Sequence, residues 1–170
     1  DFALISQVST LRSRVTFLNI FDGFRTSHEI SKIDSIPDEV IKKMMPEADI
    51  LAHKERALDP DNPVIKGTTR NPDVFFQARE AANKYYTQVP GIVKEVMNEF
   101  YKHTGRKYEL FDYIGDPNAE KVIIIMGSGE GSVRETVNAM VEKGEKVGAL
   151  FIRLYRPFYA KKKKEKLPKT

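Results

Sequence analysis

The sequence predicts an α/β protein built on parallel βαβ units, and three stretches carry that prediction. Residues 121–126 (KVIIIM) form a continuous aliphatic run, as in a parallel strand buried on both faces. The turn Gly127-Ser128-Gly129-Glu130-Gly131 separates this run from residues 133–143, where Val133, Val137, Met140 and Val141 recur at helical spacing. Gly144 ends that helix, residues 147–154 (VGALFIRL) read as the second strand, and a parallel pair requires a right-handed crossover. Near the start, Val15, Phe17, Leu18, Ile20 and Phe21 give residues 15–21 the composition of another buried strand. That run breaks at Asp22-Gly23 into Arg25, Thr26, Ser27, His28 and Glu29. Ligands of α/β sheets collect outside the carboxyl ends of strands, so this break is the first candidate site.

The remaining elements follow in order. Residues 3–14 place Leu4, Ile5, Val8 and Leu11 on one helical stripe. After the break, Thr26 or Ser27 can cap a short helix through Ile30 and Ile33, with Glu29 completing the capping-box spacing. This capping account of Thr26 and Glu29 competes directly with a site role. Residues 36–45 read as a short helix starting around Pro37-Asp38 and stopped by Pro46. Residues 53–73 are rich in Pro, Asp, Asn and Gly and read as a long irregular connection. Asn71-Pro72-Asp73 opens a helical region over residues 74–103, with Phe75, Phe76, Ala78, Ala82 and Tyr86 on one side. Pro90-Gly91 should interrupt it before Ile92, Val93, Val96, Met97, Phe100 and Tyr101 continue the apolar face, and Gly105 takes the position after its end. Residues 108–117 (YELFDYIGDP) form a compact aromatic segment turning at residues 115–117. Domain boundaries are placed within residues 50–72 or 115–119.

Composition narrows the function classes. Hydrophobic residues make up 41% of the 170 and charged residues 31%, the balance of a globular rather than a disordered chain. No apolar run approaches the roughly 20 residues that cross a bilayer. The opening DFALISQ has no initiator Met and no basic n-region, so it is not a signal peptide and reads as a chain entered mid-domain. The absence of cysteine removes disulfides, thiolate catalysis and cysteine-ligated zinc or iron–sulfur clusters from this stretch. His28, His53 and His103 lie far apart without metal spacing, so no metal site is expected. The formal charge is +4, but residues 161–170 (KKKKEKLPKT) carry six lysines against one Glu, leaving the rest close to neutral. No aromatics interleave with those lysines, so a solvated helix face is preferred over nucleic-acid binding.

Each motif has a plain structural alternative. MGSGEGSV places glycines between strand and helix, but Ser132 stands where a dinucleotide fingerprint needs its third Gly. The following strand also runs into Arg153, Tyr155 and Arg156 instead of ending in an acidic residue. A glycine turn that packs helix on strand is the better account. RLYRPF is read as structural or interfacial before substrate-binding. His28 could serve as a general acid or base oriented by Glu29, Asp22 or Asp34. No nucleophile accompanies it, since Ser27 lacks the strained elbow of a hydrolase.

Residues 10–33, TLRSRVTFLNIFDGFRTSHEISKI, resemble the end of the first domain of the pyruvate:ferredoxin (flavodoxin) oxidoreductases. Residues 122–158, VIIIMGSGEGSVRETVNAMVEKGEKVGALFIRLYRPF, resemble the second domain of the same enzymes, which is related to the transketolase C-terminal domain. The terminal LPKT falls at the distance from RPF where the family also has it. The resemblance implies that residues 1–55 are the C-terminal part of a pyrimidine-type thiamine diphosphate domain. Residues 56–73 would then be a linker, and residues 74–170 a truncated transketolase C-terminal-like domain. The lysine run at residues 161–164 departs from the family's mixed apolar–polar helix start, and the next strand of the second domain's sheet is missing.

For the parent enzyme the resemblance implies a homodimer that converts pyruvate and coenzyme A to acetyl-CoA and carbon dioxide with thiamine diphosphate and Mg. Electrons would pass through [4Fe–4S] clusters to ferredoxin or flavodoxin. The family's pyruvate-contacting Thr and Arg and its activating Glu lie upstream of this stretch. Its cluster cysteines, diphosphate-binding motif and most coenzyme A contacts lie downstream. The 170 residues therefore depend on the rest of the parent polypeptide and are expected to be inactive alone, with no nucleic-acid or membrane partner. Carried over residue by residue are Asp22, Gly23, Arg25, Thr26, Ser27, His28 and Glu29, with pocket-wall or dimer-interface support as their role. Arg25, His28 and Glu29 are the candidates for catalysis, and Asp22, Gly23 and Thr26 those for cofactor binding. The implied compartment is the cytoplasm, or a hydrogenosome-like organelle in an anaerobic eukaryote. The competing readings are a domain-docking or dimer-interface module without ligand, and a relative acting on 2-oxoglutarate or another 2-keto acid.

Overall fold

The computed structural model describes residues 1–24, 26–30, 32–64 and 69–168. Two compact units emerge, Asp1–Phe17 with Ile36–Thr104, and Leu18–Ser35 with Gly105–Thr170.

The first unit is helical. Helix α1 (Phe2–Ser13) buries Leu4, Ile5 and Val8, the stripe that its spacing announces. Arg14 ends it in the left-handed region at φ 60°, donating its backbone N–H to the Thr10 carbonyl at 3.0 Å. Helices α2 (Asp38–Met44) and α3 (Glu47–Lys54) each begin after a proline in extended conformation, Pro37 and Pro46. Helix α4 (Pro72–Thr104) starts with proline at its first position, where a missing N–H costs nothing. It packs on α1 and buries Val89, Val93, Val96, Met97 and Phe100. Arg12 ties the unit together: its guanidinium reaches Glu99 of α4 at 2.6 Å, Asp49 of α3 at 3.4 Å and the Met44 carbonyl of α2 at 3.3 Å.

The second unit holds a three-stranded mixed sheet in the order β1-β3-β2, from β1 (Phe111–Gly115), β2 (Lys121–Ile125) and β3 (Val147–Ile152). Strand β3 pairs parallel with β2, Ile123 opposite Ala149, and antiparallel with β1, Tyr113 opposite Leu150. Helix α5 (Glu130–Glu142) connects β2 to β3 and completes the βαβ unit read from the sequence. Its Val137 packs with Ala149 and Phe151, and Val133, Val141, Ile114 and Ile125 close around them. Gly144, at φ 85°, turns the chain out of α5 where a side chain would be strained. Helix α6 (Ala160–Lys166) carries the lysine run, with Lys163 over the Phe158 ring, which meets Phe111 edge-on at 5.9 Å.

Several expectations need correction. Residues 15–21 form no strand: Leu18, Ile20 and Phe21 are 84%, 81% and 82% exposed. An extended segment becomes a strand only when neighbours take its backbone hydrogen bonds, and no described strand lies beside it. The helix expected through Ile30 and Ile33 is a single 3-10 turn, Thr26–His28. The capping box does not form there: Thr26 lies inside the turn, and the Glu29 N–H donates to the Thr26 backbone carbonyl at 3.2 Å and not to its hydroxyl. Pro90 lies inside an unbroken α4. Apolar residues on both sides of it, Val89 and Val93, are buried, and this packing outweighs the roughly 3 kcal/mol that proline costs a helix interior. Helices α1 and α4 fall in one compact unit. Strand β2 is an edge, not a doubly buried strand, and Ile123 and Ile124 are 53% and 45% exposed. The central position belongs to β3, which is buried along most of its length. Strand β1 and helix α3 were not anticipated.

Candidate functional site

Two loops that the sequence singles out separately meet in the second unit. The Asp22 carboxylate accepts a hydrogen bond from the Ser128 hydroxyl at 2.5 Å and from the Thr26 hydroxyl at 2.8 Å, all at Oδ2. The two hydroxyls lie 3.3 Å apart. Asp22 follows the apolar run of residues 15–21, and Ser128 sits in the glycine turn between β2 and α5. Gly127, at φ 89°, makes that turn possible. The Ser128 hydroxyl first, and then that of Thr26, holds the Asp22 carboxyl below the usual aspartate range.

Downstream of Asp22 the chain doubles back on one carbonyl. Phe24 lies in the left-handed region at φ 55°, rare for a residue with a ring. Its carbonyl accepts from the Ser27 hydroxyl at 2.6 Å and meets His28 Nδ1 at 2.6 Å. The Phe24 and His28 rings pack edge-on with centroids 6.1 Å apart. His28 and Glu29 are exposed, and Thr26 is half-buried. The structure thus joins Asp22 and Thr26 to Ser128, holds Ser27 and His28 on Phe24, and leaves Gly23 with open space around its α-carbon. Glu29 donates its backbone N–H to the Thr26 carbonyl at 3.2 Å. Arg25 lies outside the described residues. Ser128 was not in the candidate set. The signal for it was a shared pattern, since both turns are glycine-containing breaks directly after an aliphatic run.

Beside the glycine turn, Glu130 opens α5 and receives a two-pronged pair from Arg153, just past β3. Arg153 also donates to Asp112 of β1 at 3.2 Å, and Arg134 reaches Glu130 at 2.7 Å. Burial works against the Glu130 charge, but the hydrogen bonds from Arg153 and Arg134 outweigh it and bring its carboxyl below the ordinary range. Burial likewise opposes the Arg153 charge and is outweighed by Glu130 and Asp112. Arg153 is therefore a structural clamp, as RLYRPF suggested, while Arg156 stacks over Tyr155 at 5.4 Å.

These groups bear on which cofactors the chain could hold. Asp22 Oδ2 is already taken by two hydroxyls, and among the described residues no three His, Cys, Asp or Glu side chains converge as metal ligands. With no cysteine in the sequence, an iron–sulfur cluster has no thiolate here. The residues present do not fit a magnesium-bound diphosphate or a cluster by themselves. Among the described residues, no helix is long and apolar enough to cross a membrane.

A βαβ unit whose glycine turn is tied to a second polar loop gives the second unit an α/β architecture. Residues 1–98 match the family model "Pyruvate flavodoxin/ferredoxin oxidoreductase, thiamine diP-bdg", and residues 119–170 match "Pyruvate:ferredoxin oxidoreductase core domain II". The chain is 54% identical over 168 residues to the "Probable pyruvate-flavodoxin oxidoreductase" of Escherichia coli (strain K12), covering 99% of this chain. It is 54% identical over 170 residues to the "Pyruvate-flavodoxin oxidoreductase" of Trichormus variabilis (strain ATCC 29413 / PCC 7937), covering 100% of this chain. The "Pyruvate:ferredoxin oxidoreductase" of Moorella thermoacetica (strain ATCC 39073 / JCM 9320) is 53% identical over 160 residues, 94% of this chain. The chain spans about 14% of the length of each of these relatives. It belongs to the pyruvate flavodoxin/ferredoxin oxidoreductase family of enzymes.

Proposed function

We propose that this chain is part of a thiamine-diphosphate-dependent enzyme that oxidises pyruvate with coenzyme A to acetyl-CoA and carbon dioxide. Electrons leave through [4Fe–4S] clusters to ferredoxin or flavodoxin. The observation that carries this reading is the 54% identity that runs through both family regions without a gap in coverage. Within the parent enzyme, a homodimer in this reading, Asp22, Gly23 and Thr26–Glu29 form part of a pocket wall or of the dimer interface. The hydroxyl–carboxylate contacts to Ser128 hold that wall on the βαβ unit. Thiamine diphosphate, held by groups elsewhere in the parent, would supply the nucleophilic chemistry at the keto carbon. The residues of this chain position and enclose, and the groups that bind Mg, the clusters and most of coenzyme A lie elsewhere in the parent.

The test is pyruvate-dependent viologen reduction with thiamine diphosphate and coenzyme A, run on the full-length enzyme and on residues 1–170 alone. The reading expects turnover only from the full-length enzyme. Turnover by the 170 residues alone would contradict the division of labour, and an inactive full-length enzyme would contradict the assigned reaction.

A further inference from the structure

The geometry points to His28 as a ring of fixed tautomer whose Nε2 lone pair accepts a hydrogen bond from a polar small molecule. The inference rests on the reading that Asp22, Gly23 and Thr26–Glu29 line the pocket wall. A carbonyl oxygen has no proton to give, so the 2.6 Å contact between His28 Nδ1 and the Phe24 carbonyl requires the hydrogen to sit on Nδ1. In the neutral ring this leaves Nε2 bare, and the side chain is exposed, so Nε2 is accessible. Four features hold the arrangement. Phe24 adopts φ 55°, which an aromatic residue takes only when its surroundings impose it, and strain of this kind gathers at functional turns. Its carbonyl is shared with the Ser27 hydroxyl, and its ring braces the imidazole edge-on at 6.1 Å. The turn as a whole is fastened at Asp22 to Ser128.

A surface loop with no task has no need of a left-handed Phe, a shared carbonyl and a latch to a residue 106 positions away. The partner class follows from the atom presented. A lone bare nitrogen recognises a hydroxyl, ammonium or thiol hydrogen and gives nothing to a carboxylate or phosphate oxygen. His28 would thus be the donor-recognising member of the wall, and Asp22, Ser128 and Phe24 its positioning residues.

The test separates the two ring nitrogens in the full-length enzyme. His28→Asn keeps a donor where Nδ1 stands but loses the outer acceptor, whereas His28→Gln reaches the place of Nε2. The proposal expects kcat/KM for His28→Asn to fall about tenfold, as for His28→Ala, the effect of one lost hydrogen bond, while His28→Gln stays close to wild type. His28→Asn is also expected to retain the wild-type melting midpoint. Wild-type activity in His28→Asn, an unchanged rate in all three variants, or an equal fall in all three would overturn the proposal. A second measurement needs no turnover. In enzyme labelled with ring-15N histidine, the difference spectrum between wild type and His28→Asn should show the tautomer protonated at Nδ1. The opposite tautomer would overturn the inference even if the enzyme oxidises pyruvate. An enzyme inactive on pyruvate would instead count against the proposed function and leave this measurement standing.

Discussion

Replacing Arg153 with Met should loosen the sheet of the second unit more than any surface substitution. The Arg153 side chain is 11% exposed and bridges Glu130 at the start of α5 to Asp112 of β1. Met keeps much of the stem's apolar packing, so the loss isolates the charged head. Asp112 loses a charged hydrogen bond, worth about 1.5–3 kcal/mol where little water reaches it. Glu130 loses a two-pronged pair but keeps Arg134, which limits its share to about 1–2 kcal/mol. The carboxylates are 22% and 23% exposed, so water recovers part of both terms. A total near 3 kcal/mol is left, at the low end for breaking a buried pair. The assay is hydrogen exchange followed by mass spectrometry on β3 in the full-length enzyme, where opening free energy sets the rate. A loss of about 3 kcal/mol accelerates exchange of the β3 amides roughly 100-fold. Glu130→Gln keeps an acceptor and should accelerate them by much less. If Arg153→Met leaves β3 exchange unchanged, the clamp does not hold the sheet and the reasoning fails. The same network gives a pH dependence. The Glu130 carboxyl is depressed in the folded state, so its contribution is fully present above the unfolded glutamate value of about 4.3. It is lost as pH falls from there through the lower folded value, and Glu130→Gln should lack this component.

Further predictions concern packing. A Cβ at Gly148 would run into the Tyr113 ring, meeting Cζ at 2.7 Å, so Gly148→Ala should destabilise by about 1–3 kcal/mol. In a Tyr113→Ala background it should cost less, and strict additivity in denaturant titrations would argue against the clash. The Ser9 hydroxyl is buried without a hydrogen-bond partner, so Ser9→Ala should stabilise the first unit by about 1 kcal/mol, read as a raised denaturation midpoint. Pro90→Ala should stabilise α4 by up to about 3 kcal/mol and slow exchange in its last four turns. Faster exchange would show that the helix depends on its proline.

Local pattern revealed what local pattern decides. The aliphatic run of β2, the stripe of α5 and the glycines that end α4 and α5 all stand in the sequence, and each element forms where they place it. Residues 15–21 carry the same apolar signal yet form no strand, because a strand is completed by neighbours rather than by its own residues. Strand β1 (FDYIG) was hidden by shortness and by aromatics that read equally well as a turn. The position of β2 at the edge was hidden because sheet order is not written in any one strand. In the candidate site, Asp22, Thr26 and His28 were legible as a polar break after an apolar run. Ser128 was not, because its contact with Asp22 spans 106 residues. The structural role of Arg153 could be guessed from RLYRPF, but its partners Glu130 and Asp112 lie on two other elements.

In the proposed function these residues are scaffold of a pyruvate-oxidising enzyme, with Asp22 and Ser128 fastening its candidate wall to the βαβ unit. The most direct measurement is pyruvate-dependent viologen reduction by the full-length enzyme, wild type against a double substitution Asp22→Ala with Ser128→Ala, with β3 exchange followed in parallel. The account predicts turnover in the wild type, a clear loss in the double variant and unchanged protection of β3. Wild-type turnover in the double variant would contradict it.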